Sequence, residues 1–378
     1  MSQPDVTEAD VQAVVDVLRT PWLSLGPKLP EFEEKLADYV GCRYAVAVNS
    51  GTSALHLIVR SLGIGEGDEV ITSPFSFVAS TNCLLYERAR PVFVDIDRRS
   101  LNLDVGRIEA ALTPRTRAIL AVDVFGRPAD WNALRQLAAR HDLLLIEDSC
   151  EALGARYRLA GGDWARCGSL GEAGCFAFYP NKQMTTGEGG MIVTDREDLA
   201  ALCRSLRNQG RDEGAGWLQH ARLGFNYRLS DINCALGLAQ LERLEEILAA
   251  RRQVAAWYAE ALAELPDFEV PPPEPGAEIS WFVYVVRLAA EYTRADRDAL
   301  LTGLRERGVG CNNYFSPIHL QPYIRDAFGY REGDFPVTEA VSAQTIALPF
   351  HTRLTEREVR EVARLLGEVR SRLRGVSR

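Results

Sequence analysis

Lysine is nearly absent from this chain: among 43 basic residues only Lys28, Lys35 and Lys182 are lysines, so arginine serves wherever a plain positive charge suffices. A lysine set in an apolar segment is therefore a poor candidate for an interchangeable surface charge. A basic surplus is missing too. The formal charge of -9 argues against broad binding to a phosphate backbone, so no nucleic-acid partner is expected. No stretch is long and charge-free enough for a membrane span, and Met1 to Asp10 carry acids where a signal peptide has an apolar core. No membrane partner is expected, and a cytoplasmic location follows by default. The eight cysteines (42, 83, 150, 167, 175, 203, 234 and 311) show neither CxxC spacing nor a paired framework. That reads as reduced, mostly buried small hydrophobes, with no metal. No internal repeat is evident.

What is present is an alternation. Residues 5–19 and Pro30 to Val40 carry apolar positions at helical spacing, joined by the turn-rich Trp22-Leu-Ser-Leu-Gly-Pro27. Short β-branched runs and helical stretches then take turns: YAVAVNS, DEVITS, RPVFVDI, RAILAVDVF, LLLIED, GCFAFYP and GGMIVTD read as strands. Continuous apolar strands separated by helices predict an α/β fold with a mostly parallel sheet covered on both faces. Residues 195–210 read as helix, and 229–262 as one long amphipathic helix. Proline density at 266–278 breaks the pattern, and WFVYVVRL (281–288) opens a smaller α+β segment. This divides the chain into a large domain, 1–255, and a small C-terminal domain, 256–378, whose basic end RSRLRGVSR reads as a solvated tail.

Three constellations carry chemistry. Asn49-Ser-Gly-Thr-Ser-Ala-Leu55 follows a strand and opens a helix, so backbone N–H groups, the helix dipole and hydroxyls face one point where a phosphate can sit. Taken alone, it better suits an ordinary helix cap. Leu143-Leu-Leu-Ile-Glu-Asp148 is a buried strand with an aspartate at its C-terminal edge, where ligands of open α/β sheets bind. Asp148 there can keep a heterocyclic nitrogen protonated or merely cap the next element. In Gly174-Cys-Phe-Ala-Phe-Tyr-Pro-Asn-Lys182, followed by Gln-Met-Thr-Thr-Gly-Glu-Gly-Gly190, a lysine stands between an aromatic strand and a glycine-rich turn. Apolar surroundings lower a lysine's pKa and suit it to Schiff-base chemistry.

In this order and spacing the three segments resemble the fold type I pyridoxal-phosphate enzymes and, closely, the DegT/DnrJ/EryC1/StrS family of sugar aminotransferases. The resemblance covers nearly the whole chain, through SLGPKLPEFEEKLADYVG, GDEVITSPFSFVAST, LLLIEDSCEALGARY, FAFYPNKQMTTGEGGMIVTD, GFNYRLSDINCALGLAQLERL and YFSPIHLQP. It implies pyridoxal phosphate held by Lys182, which also moves the proton, with Asp148 on the ring nitrogen and Phe77 stacked on the ring. Gly51, Thr52 and Ser53 would take the phosphate. Asn226, with Arg228, would reach the cofactor of a neighbouring subunit, implying a homodimer with shared active sites. Tyr314 and His319 match positions lining a nucleotide-sugar pocket, and equally suit a packed aromatic face.

Three positions depart from the family pattern. Ala177 stands where a serine often serves the phosphate, Asp123 replaces a usual histidine, and Glu151 replaces a usual glutamine among the cofactor-binding positions. Asp123 and Glu151 are expected to alter how ring or sugar is held. Lys182 favours transamination over the family's dehydratase chemistry, in which a histidine takes that place. The implied reaction moves an amino group from glutamate to a nucleotide-linked keto-deoxysugar; a cyclitol or other cyclic ketone is the alternative substrate. A non-catalytic regulator, the reading from a different class, would need none of Lys182, Asp148 and the phosphate turn.

Overall fold

Seven short apolar strands build the central sheet of the computed structural model, which describes residues 2–376 apart from 215 and 217 and the side chains of 373–376. In spatial order they are Tyr44–Val48, Gly190–Thr194, Ala173–Ala177, Leu144–Asp148, Thr116–Val122, Glu69–Thr72 and Arg90–Phe93. Neighbours run parallel except at Gly190–Thr194, which is antiparallel to both strands beside it. The exception has a local cause. Residues 178–189 join it to Ala173–Ala177 without a crossover helix, and a parallel pair needs one.

The helix Gly51–Ser61 shows why the sheet buries both faces. Leu55, Leu57, Ile58 and Val59 are all fully buried, so this helix is apolar nearly all round. It packs on the strands Ala173–Ala177 and Gly190–Thr194 and on the helices Ala79–Tyr86 and Glu197–Arg207. A second, antiparallel sheet joins Phe268–Glu269, Tyr284–Leu288 and Thr345–Leu348. Tyr258, Leu300 and Leu366 from three helices complete its separate core.

Two sequence expectations are corrected. The long helix over 229–262 is two helices, Asp231–Glu242 and Leu244–Leu262, broken at Arg243, where φ is -110° and ψ 14°. Arg243 pairs with Asp5 at 3.2 Å and Asp10 at 3.8 Å. The first helix packs on Glu8–Leu18 and Lys28–Val40 and the second on Glu356–Val376, although Leu244 and Leu248 at its start share a core with Cys234 and Leu238 of the first. The basic end is not a free tail: Glu356–Val376 is helical, and Arg370 Nε pairs with Asp267 Oδ2 at 2.9 Å. Residues 377 and 378 lie outside the described residues. The small sheet of Arg156–Arg158, Trp164–Arg166 and Ala277–Glu278 was not read from the sequence. Among the described residues no helix is long and apolar enough to cross a membrane.

Candidate active site

A cavity of about 490 Å³ opens at the C-terminal ends of the parallel strands. Strand register sets Asp148 between Val122 and Cys175, at the cavity floor. The Asp148 carboxylate is buried; Oδ2 accepts from Ser80 Oγ at 2.8 Å, and Oδ1 accepts from the Cys150 N–H at 3.2 Å. Ser80 Oγ also lies 2.8 Å from Ser76 Oγ. These hydroxyls fix the direction of the carboxylate. Of PFSFVAST only Phe77 is expected at the site from sequence; the i, i+4 spacing of Ser76 and Ser80 is the signal that points to the two hydroxyls.

Lys182 is delivered by the loop between two antiparallel strands. Phe178 N–H donates to the Gly189 carbonyl at 3.0 Å, while the Thr186 N–H and Thr185 hydroxyl donate to the Phe178 carbonyl at 3.0 and 2.9 Å. This closure folds Lys182 over the sheet edge. Its Nζ lies 3.4 Å from Glu151 Oε1 and 4.3 Å from the centre of the Phe282 ring. Glu151 Oε2 accepts from the Phe125 N–H at 2.9 Å. Burial raises the Glu151 carboxyl above its ordinary range, while the Lys182 charge pulls it down.

The third wall is the start of the helix Gly51–Ser61. A Cβ at Gly190 would lie 2.5 Å from the Ser50 carbonyl, and one at Gly51 would lie 2.8 Å from both Ala177 Cβ and Cys150 Sγ. The two glycines let this turn lie directly against the sheet. First-turn N–H groups lack partners within a helix and carry its positive end, so the wall suits an anion. Gly51 and Thr52 line the cavity, as does Ala177. Ser53 does not: its hydroxyl donates to Asn49 Oδ1 at 2.7 Å and its N–H to Ser50 Oγ at 3.1 Å. Ser53 is spent on the cap.

Aromatic side chains frame the opening. Phe77 and Tyr179 line it while 60% and 53% exposed, and Tyr314 stands across from them. Burial, with the Glu151 charge, pushes the Tyr314 hydroxyl well above its ordinary pKa. Asn181 Nδ2 donates to Tyr314 Oη at 3.5 Å, whereas Asn181 Oδ1 is buried in the lining without a hydrogen-bond partner. A buried acceptor left unpaired is costly and awaits a donor from whatever fills the cavity. Asn181 went unread, although it directly precedes Lys182. A lysine, a buried carboxylate, an anion-receiving helix start and this orphaned acceptor together fit pyridoxal phosphate.

Four of the named residues do not line this cavity. His319 is fully buried, with Nε2 2.9 Å from Glu339 Oε1 and its ring against Phe335 at 4.7 Å, so it packs and does not line the cavity. Burial lowers its pKa against the pull of Glu339. Arg228 is bridged to Val48 of the edge strand and Asn226 to Asn208 after the helix Glu197–Arg207, and Arg228 Nη1 donates to Asn208 Oδ1 at 3.1 Å. Ser53 is the fourth. Asp123 also differs from expectation: its Oδ1 accepts from the Ala129 N–H at 2.8 Å and the Trp131 indole at 3.0 Å, and Oδ2 from Ser149 Oγ at 2.6 Å. It belongs to a buried network with Glu147, outside the cavity lining. Burial raises both carboxyls, and Asp123 adds to the rise at Glu147.

Comparison with known proteins gives the same picture at the scale of the chain. GDP-perosamine synthase of Caulobacter vibrioides is 42% identical over 360 residues, covering 94% of each chain. The crystal structure of S. venezuelae DesV superposes with a TM-score of 0.88 at 36% identity, covering 96% of this chain and 94% of that one. Spr1654 of Streptococcus pneumoniae in its PLP form gives 0.93 at 28% identity, covering 98% of each. The DegT/DnrJ/EryC1/StrS aminotransferase family model matches residues 4–366. With fold, cofactor pocket and relatives in agreement, the chain belongs to the DegT/DnrJ/EryC1/StrS aminotransferase family of pyridoxal-phosphate-dependent sugar aminotransferases.

Proposed function

We propose that this chain transfers an amino group from glutamate to a nucleotide-linked keto-deoxysugar, in the making of polysaccharide or glycoconjugate sugars. The observation that carries the reading is the placement of Lys182 Nζ in one cavity with Asp148 and the start of the helix Gly51–Ser61. The 42% identity to GDP-perosamine synthase supports a nucleotide-linked sugar as the substrate class.

Each residue has a task in this reading. Lys182 would hold the cofactor covalently, and its Nζ, once free, would serve as the base and acid of the 1,3-proton transfer in each half of the reaction. When bound, pyridoxal phosphate supplies the electron sink that lets an amino group pass from an amino acid to a ketone. Asp148, oriented by Ser80, keeps the ring nitrogen protonated. Phe77 would stack on the ring, and the N–H groups of Gly51 and Thr52 would receive the phosphate. Glu151 holds Lys182, while Asn181 and Tyr314 face the sugar. Asn226 and Arg228 lie outside their own cavity, and Phe77 and Tyr179 leave its mouth exposed, so a second copy of the chain completes the site as a homodimer.

The test is a panel of nucleotide-linked keto-hexoses with glutamate as donor, each product weighed by mass spectrometry. Replacement of the carbonyl oxygen by an amine on a nucleotide-linked member is expected. Turnover confined to cyclic ketones without a nucleotide would overturn the substrate class.

A further inference from the structure

Beside Asp148 lie two thiols that the transamination reading leaves without a task, Cys150 in the cavity lining and Cys175 fully buried next to it. Cys150 Sγ lies 3.5 Å from Cys175 Sγ, and Cys175 Sγ lies 3.8 Å from Asp148 Oδ1. The three ligand atoms all fall within 4.8 Å of one another. A tetrahedral zinc ion, with bonds of about 2.3 Å to sulfur and about 2.1 Å to oxygen, spaces such ligands about 3.6–3.8 Å apart. The spacing therefore fits one small thiophilic cation with little movement.

A second buried cluster shows what distinguishes this one. Asp123, Glu147 and Cys167 are equally close together. There, however, Glu147 takes the Gly168 and Leu170 N–H groups at its two oxygens, and Asp123 takes Ala129 and Trp131. Those carboxylates are committed to backbone and indole donors, and none of Asp123, Glu147 and Cys167 lines the cavity. Cys150, in contrast, lines the cavity and gives an ion a way in. It also sits against the start of the helix Gly51–Ser61, whose positive end favours a thiolate.

We propose that Asp148, Cys150 and Cys175 form a site for a thiophilic divalent cation of the zinc class, and that the cation and pyridoxal phosphate exclude one another. The exclusion rests on the cofactor reading, because a metal on Asp148 Oδ1 removes the carboxylate that the ring nitrogen requires. The thiolates, not the thiols, bind: each cation displaces two thiol protons, which leave to solvent, and no group is oxidised or reduced. Cation affinity therefore rises with pH through the neutral range.

Cadmium ion is the probe, because its thiolates absorb in the ultraviolet. The full-length chain, stripped of cofactor, is titrated with cadmium while absorbance and proton release are followed. One ion per chain, about two protons released per ion, and a band that saturating pyridoxal phosphate suppresses are expected. The band should vanish in C150S and in C175S and persist in C311S, whose thiol is buried in the other core. An unchanged band in C150S and C175S, or native protein releasing no protons, would overturn the metal site; a band indifferent to bound cofactor would overturn the exclusion. A native chain that takes up no cofactor sinks the functional reading of Lys182, whereas the cadmium band of the cofactor-free chain still decides the metal site on its own.

Discussion

Lys182 Nζ and Glu151 Oε1 stand 3.4 Å apart with their side chains only 13% and 7% exposed, so the lysine of the cavity is held by a carboxylate that is itself buried. The pair makes a prediction about pH. Because burial raises the Glu151 carboxyl, the native chain holds that proton more tightly than the unfolded chain does. The native state is therefore favoured at low pH, and that advantage is lost as pH climbs from the ordinary carboxyl value of 4.5 through the raised one. In Glu151→Gln this loss is absent. Urea unfolding of both proteins in pH steps should show the variant gaining relative to the native chain across the window; a difference independent of pH would contradict the assignment.

Asp148→Asn should keep the cofactor and lose turnover by about 10² or more, since a full charge is needed to hold the ring nitrogen protonated. Steady-state kinetics with cofactor content measured in parallel decides it. Near-normal turnover removes Asp148 from the chemistry.

Ser80→Ala should act in the same direction but less strongly. It deletes one hydrogen bond to a buried carboxylate, worth about 1.5–3 kcal/mol, or about 10-fold to 100-fold if felt at the reacting atoms. The effect should fall on kcat with cofactor retained. A variant that loses cofactor but keeps kcat per bound cofactor would make Ser80 a binding residue only.

The three cofactor segments were legible because their chemistry is local: a strand end, a helix start and a lysine between strand and turn are short-range patterns. Ser80 and Asn181 escaped because their meaning is tertiary. Ser80 matters only through Asp148, 68 positions away, and Asn181 only through the unpaired oxygen that folding leaves in the lining. The break at Arg243 was hidden for a similar reason: helical periodicity runs through it with no proline to mark it, and the second helix packs on Glu356–Val376, which only folding brings beside it. Asp123 misled because the sequence matched a position without showing that the side chain turns to Trp131 and Ser149.

Trp131 tests that buried network by stability. It is fully buried, and its indole donates to Asp123 at 3.0 Å. Trp131→Ala should cost about 3–5 kcal/mol through the cavity left behind, with a further penalty for the stranded carboxylate. Denaturant unfolding measures it; a loss below about 1 kcal/mol would show that the site collapses freely.

Shared sites predict complementation. Lys182→Ala and Asn226→Asp, each weak or dead as a homodimer, should recover toward half of native activity when isolated as mixed dimers, because one of the two sites then holds both native residues. No recovery in mixed dimers confirmed by mass would place Asn226 in its own chain's site or in none.

The central claim is that Lys182 carries the cofactor. Borohydride reduction of the native enzyme, followed by digestion and peptide mass mapping, tests it directly. The reduced adduct is expected on the peptide containing Lys182, and Lys182→Ala should yield neither adduct nor turnover. An adduct on Lys28 or Lys35, or one that persists in Lys182→Ala, would contradict the account.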